Sequence, residues 1–99
     1  MPTANAVINA KLKAIEALIE IGAIGDAYGA IDQCEASSAQ EASLLCYLRG
    51  KAKMKESAWG EAMTAFLQSE QHWEESPAKA ARQMLEEILN FYDKQVYGQ

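Results

Sequence analysis

Apolar residues recur at three- and four-residue spacing along most of this chain, and the pattern breaks at only four places. The breaks are Gly22 with Gly25, Ser37-Ser38, Ser57, and Ser76-Pro77. They leave five segments, each with the periodicity of an amphipathic helix and none with the strict alternation of a half-buried strand. The first helix is predicted over Ala4 to Ala23, with Val7, Ile8, Leu12, Ile15, Leu18 and Ile19 at helical intervals and Thr3 or Asn5 as cap. Gly22 and Gly25 end it, because glycine accepts the left-handed conformation at a helix C-terminus. Asp26 is placed to cap a second helix running to Glu35, with Ala27, Ala30, Ile31 and Cys34 on one face. Ser38 and Glu41 have capping-box spacing, so a third helix starts near Ala39 and runs to Lys55. Ser57 is the expected cap of a fourth helix that carries Trp59, Ala62, Met63, Phe66, Leu67 and Trp73. Ser76-Pro77 restarts the chain as a last helix with Ala81, Met84, Leu85, Ile88, Leu89, Phe91, Tyr92 and Val96. The predicted fold is all-α.

Ninety-nine residues make one small domain. Such a chain buries roughly 60–70% of its extended surface, enough for a modest core and too little for two lobes around a cleft. A hydrophobic share of 49% and a charged share of 23% describe a globular composition. The net charge of −5 argues against nucleic-acid binding, which needs clustered Lys and Arg. That charge is uneven: Arg49, Lys51, Lys53 and Lys55 give the third helix a basic edge on an acidic body. No apolar run approaches the roughly 18 residues of a membrane span. Lys11 and Lys13 follow the AVI run instead of preceding it, which is not the order of a signal peptide, so the chain is expected to be cytoplasmic.

Little in the sequence points to bond-making chemistry. Cys34 and Cys46 are too few for a disulfide framework and read as free thiols packed like small hydrophobes. His72, the only histidine, stands in EQHWEE without Cys partners, a weak metal signal and a better solvated helix end. Glu74-Glu75 and Glu86-Glu87 are adjacent on a helix, point in different directions and read as surface charge. No phosphate-cradling glycine loop is present. The reading is therefore non-enzymatic, with no metal and no cofactor.

The first and second helices form one pair, and the third and fourth another. The second pair carries in order Gly50, Trp59, Ala62 and Phe66, followed by Pro77. Sliding back 32 residues sets Leu18, Ala30 and Cys34 against Gly50, Ala62 and Phe66. The stretch YLRGKAKMKESAWGEAMTAFLQSEQHWEESP resembles a tetratricopeptide (TPR) repeat, and residues 11–99 resemble small stand-alone bacterial TPR proteins that close on a helix with "ILNFY" near its end. The resemblance implies a single TPR-like α-α superhelix of five helices over residues 1–99: a degenerate repeat at 11–42, a well-matched repeat at 43–76 and a capping helix at 77–97. Two repeats fall short of the three or so that usually stack stably, so the terminal helices are expected to act as caps.

The same resemblance implies a concave groove lined by the first helix of each pair. Leu12, Ile15 and Ile19 would line it from the first helix, Leu44, Tyr47, Lys51, Met54 and Lys55 from the third, and Ala78, Arg82 and Leu85 from the last. The Lys/Asn carboxylate clamp of some TPR proteins is missing at Ile15, Ile19, Tyr47 and Lys51. The expected function is a protein-protein interaction module, adaptor or chaperone-like, whose groove takes an acidic or amphipathic peptide or helix of another protein. The alternative is a structural homo-oligomer, such as a homodimer, that buries its own groove. Neither reading involves nucleic acid or a membrane.

Overall fold

The computed structural model describes the backbone of residues 4–97 and the side chains of residues 9–91. The described chain is all-α, with five helices in the expected order and no strand: α1 (Ala4–Glu20), α2 (Ile24–Gln33), α3 (Ala39–Lys55), α4 (Trp59–His72) and α5 (Ala78–Tyr97). Val7, Ile8, Tyr92 and Val96, expected in the core, and the candidate caps Thr3 and Asn5 lie outside the described side chains. The helices stack in one direction, giving extents of 60 × 28 × 15 Å. The radius of gyration is 14.7 Å, above the roughly 13 Å of a compact domain this long.

Two turns have the same construction. At the end of α1, Gly22 takes φ +85°, its N–H donates to the Ile19 carbonyl, and the Ala23 N–H reaches back to Leu18. After α3, Ser57 takes φ +60°, its N–H donates to Met54, and the Ala58 N–H reaches Lys53. Both are Schellman closures, in which a left-handed residue turns the chain while satisfying the last helical carbonyls. They explain three departures from the sequence reading. Gly25 does not end α1 but lies within α2, which starts at Ile24. Asp26 does not cap α2; position Ala23 precedes the helix with no side-chain cap, and Asp26 lies in the first turn, where its charge meets the positive end of the helix. Ser57 does not cap α4 either, because its left-handed backbone closes α3 and Ala58 takes the N-cap position.

The turns also fix the internal repeat. α1 and α3 are each 17 residues long, and Ala4 to Ala39, Glu20 to Lys55, Gly22 to Ser57 and Ile24 to Trp59 are all steps of 35. On that register IGDAYGAI of α2 matches WGEAMTAF of α4. The 32-residue register expected from the sequence is corrected by three residues, close to one helical turn. Gly50, Ala62 and Phe66 correspond to Ile15, Ala27 and Ile31, all buried, and not to Leu18, Ala30 and Cys34, which are half-buried.

Two apolar clusters form the core, and α3 is the wall between them. Leu12, Ile15 and Ile19 of α1, Ala27 and Ile31 of α2, and Leu45, Leu48 and Ala52 of α3 make the first. Ala62 and Phe66 of α4 with Ala78 and Leu85 of α5 make the second, with Met54, Trp59 and Met63 packed on it. Tyr47 packs on both. The most extensive helix interface is α3 with α4, and its closest point is Gly50 against Phe66. A β-carbon on Gly50 would stand 2.6 Å from Phe66 Cδ1 and overlap Cε1 as well. Trp59 is half-buried at the start of α4 and packs on this second cluster.

Buried polar groups are paired. Ser43 of α3 and Ser69 of α4 exchange hydrogen bonds: the Ser43 hydroxyl donates to the Ser69 carbonyl at 2.8 Å, and the Ser69 hydroxyl donates to the Ser43 carbonyl at 2.6 Å. Ser76 lies 2.8 Å from Ser69 Oγ, and its own oxygen accepts the Ala78 N–H at 3.1 Å, which caps α5. One chain of hydroxyls thus ties α3, α4 and α5 together. At the start of α3, Ser38 Oγ accepts the Glu41 N–H at 3.1 Å, as its spacing predicts. The Glu41 carboxylate returns to Ser37, not Ser38, accepting its N–H and hydroxyl at 2.6 Å each. Those two bonds hold the Glu41 carboxyl below the usual carboxylate range.

The Gly50–Phe66 contact predicts that Phe66→Ala costs about 3–5 kcal/mol. Gly50→Ala should cost about 1–3 kcal/mol by overpacking. Combined with Phe66→Leu, Gly50→Ala should cost less than the sum of the two single changes in chemical denaturation. A Gly50→Ala protein as stable as wild type contradicts the contact. The Glu41 bonds make a pH prediction. A lowered native pKa stabilises fully above the ordinary carboxylate value and is lost as pH falls through the native one. The thermal midpoint should therefore drop on acidification below about pH 4, and Glu41→Gln should flatten that part of the profile.

Candidate functional site

Among the described residues α3 is the one helix that packs on both clusters, and one side of it is left between them. Leu44, Tyr47, Lys51 and Met54 follow each other at three- and four-residue steps and are all half-buried, and Lys55 is exposed at the end of the stripe. The Tyr47 ring lies 6.1 Å from that of Phe66, tilted by 38°, so its position is set by the α3–α4 contact. The Lys51 ammonium lies over the Tyr47 ring, 5.4 Å from its centre. At the far end Lys51, Met54, Lys55 and Trp59 surround a depression of 270 Å³. The sequence-predicted residues of the third helix therefore lie together on one accessible stripe.

The predicted groove residues of the other two helices do not join them. Leu12, Ile15 and Ile19 are 9%, 2% and 1% exposed, because α2 and α3 pack over them; they are core, not lining. The α1 residue beside the α3 stripe is Glu16, whose carboxylate meets the Lys51 ammonium at 3.2 Å. Glu16 and Lys51 are separated by the repeat step of 35, so they hold the same place in successive helices. Apolar spacing in the first helix does not point to Glu16; the IGDA/WGEA match gives the register that does. Arg82 is also displaced. Its guanidinium grips Glu70 of α4 at 2.5 and 3.0 Å and Glu86 at 2.7 Å, so it faces α4 and is held charged by that pairing. Ala78 and Leu85 are fully buried.

The basic edge of α3 is mostly spent inside the protein. Arg49 meets Asp32 of α2 at 2.6 Å, and Lys53 meets Glu61 of α4 at 3.0 Å. Tyr28 of α2 lies against both cations, its ring centre 5.9 Å from Arg49 Cζ and 4.6 Å from Lys53 Nζ, within cation–π range. Its hydroxyl donates to the Glu56 carboxylate. The Glu61 bond raises the Lys53 pKa, and burial, then the Glu56 bond, raises that of Tyr28. Of the four cations of α3, only Lys55 makes no ion pair among the described residues.

Two more clefts flank α2. Lys11, Ala14, Leu18, Ala30 and Cys34 line 240 Å³ between α1 and α2. Leu18, Ala30 and Cys34 pack on the first cluster as partly buried residues and also rim this gap. A second cleft, of 320 Å³, separates the C-terminal end of α2 from α3 and is lined by both Cys34 and Cys46. The cysteines are free and half-buried, and Cys34 packs on the first cluster. His72 is exposed at the last residue of α4. Among the described residues no group of three His, Cys, Asp or Glu side chains is placed to hold a metal ion, and no helix is long and apolar enough to cross a membrane. The α3 stripe offers an apolar, aromatic-backed surface with one unpaired ammonium, which suits binding. No family model, curated protein or solved structure matches this chain.

The charge arrangement predicts opposite behaviour for two lysines one half-turn apart. Lys53→Met should lower the thermal midpoint, and added salt should shrink the difference from wild type. Lys55→Met should leave the midpoint unchanged at every salt concentration. Equal effects of the two substitutions would contradict the assigned pairing.

Proposed function

We propose that this chain is a non-enzymatic, cytoplasmic interaction module of the TPR type, taking an amphipathic peptide or helix of another protein along α3. One observation carries the reading: the half-exposed Leu44–Tyr47–Lys51–Met54 stripe runs unbroken into the Lys51–Met54–Lys55–Trp59 depression. The 35-residue helix pair supports the TPR likeness, since that repeat has a period of 34; so does the small-against-aromatic contact of Gly50 with Phe66. The partner this surface fits has apolar residues at helical spacing, to lie on Met54, Tyr47 and Leu44, and a carboxylate to meet Lys55. Lys51 contributes less charge to a partner, because Glu16 already neutralises it.

A homo-oligomer is the second reading. In it the groove is the interface, and the half-exposed Leu44, Tyr47 and Met54 of the α3 stripe are buried against a second copy.

Trp73→Phe leaves Trp59 as the single tryptophan, a reporter inside the depression. Titration with designed amphipathic helices, one acidic and one basic on the polar face, should give a saturable fluorescence change with the acidic one. Met54→Gln with Lys55→Glu should weaken that binding about tenfold or more, a loss of at least about 1.4 kcal/mol. No saturable change with either peptide, in a protein that sediments as a monomer, would sink the groove assignment. A tight dimer dissociated by the same two substitutions would establish the second reading instead.

A further inference from the structure

The cleft between α2 and α3 holds the two thiols of the chain and has no part in the proposed groove. Cys34 is the residue just past the last turn of α2, in extended conformation, and Cys46 lies midway along α3. Both line the same 320 Å³ space, together with Ala36 and Ala42. The ion pair of Asp32 with Arg49 and the contact of Tyr28 with Lys53 lay the C-terminal half of α2 along α3, and Cys34 leaves α2 one residue past its end on the wall of the cleft that Cys46 lines from α3. A disulfide needs the two Cα atoms about 4.4–6.8 Å apart, so closing one draws the walls of this cleft together. The small Ala36 and Ala42 line the space beside them, and Cys34, outside the helix, is held to it by one N–H donated to the Ile31 carbonyl.

We propose that Cys34 and Cys46 are a redox-responsive pair that a disulfide-class oxidant closes into an intramolecular disulfide, tying the end of α2 to α3. The chemistry is two successive exchanges. The Cys34 thiolate attacks one sulfur of the oxidant RSSR, forming a mixed disulfide and expelling RS⁻. Cys46 then loses its proton to solvent, attacks Cys34 Sγ and expels the second RS⁻. Two protein thiols are oxidised, and one RSSR is reduced to two RSH, the thiol protons ending on the leaving thiolates. Cys46 is the second to react because burial pushes its thiol pKa up and keeps it protonated. Closure makes a loop of the α2–α3 connection and fixes the tilt of α2 on the helix that both apolar clusters share.

The test uses the full chain, dilute, with oxidised glutathione, followed by acid quenching, denaturation, intact-mass measurement and thiol titration. The expected product is a monomer lighter by two hydrogens, with no titratable thiol and a raised thermal midpoint. Cys34→Ser and Cys46→Ser should each stop at a single glutathione adduct with no rise in midpoint. A wild-type chain that ends with two glutathione adducts, with a disulfide-linked dimer, or with both thiols unreacted overturns the proposal. Loss of peptide binding has no bearing on this outcome, so failure of the groove reading and failure of the thiol pair are separately visible.

Discussion

The absence of one carbon atom sets the architecture. Phe66 occupies the volume that a side chain at position 50 would need, so α3 and α4 approach until backbone meets ring. Everything on the second half of the molecule is then placed relative to that contact: Tyr47 by its tilt against Phe66, Ser43 against Ser69 one end along, Ala78 and Leu85 over the other side of the ring. The first half solves the same problem with different volumes. Ile15 and Ile31 hold the places of Gly50 and Phe66, so two medium side chains replace a void and a large one. Close-packed interiors tolerate such exchanges when total volume is kept, and the shared Schellman turns hold both pairs to one geometry despite them.

Polar groups are used to join helices more than to decorate them. The three serines of the α3–α4–α5 clasp have their hydroxyls satisfied in a buried site, where an unmade hydrogen bond is expensive. Cations on α3 reach three different neighbours: Arg49 to α2, Lys51 to α1 and Lys53 to α4. Each such pair is weak alone, but all three converge on the helix that separates the two cores. A basic stripe that reads from composition as a docking surface is therefore largely an internal fastening, and what stays accessible on α3 is apolar with a single cation, Lys55, at one end.

Much of the fold is legible in the residues, because helical periodicity survives in every segment and Ser38 and Ser76 sit where helix starts need an oxygen. What failed was local. Asp26 and Ser57 look like caps, but a left-handed residue takes over each turn; Gly22 shows that choice by its type, and Ser57 does not. The repeat register slipped by three because Gly50 was matched to the wrong partner; the IGDA and WGEA tetrapeptides carry the true step. The groove was half legible. Spacing alone puts Leu44, Tyr47, Lys51 and Met54 on one side of α3. It does not say that α2 and α3 close over Leu12, Ile15 and Ile19, since a buried and an exposed apolar face have the same period. The serine clasp gave no signal at all: three separated hydroxyls become a network only when α3, α4 and α5 are brought together.

The Glu16–Lys51 pair joins equivalent places in consecutive repeats with opposite sign. A solenoid of identical units would repeat one charge along that row and repel itself. Here the alternation gives the stack a sense of order: the first pair accepts the second as its neighbour, whereas a copy of itself in that seat would set Glu16 against Glu16. Chain order is thereby written into the electrostatics where α1 meets α3, and a tandem array grown by duplicating either unit alone would lose it.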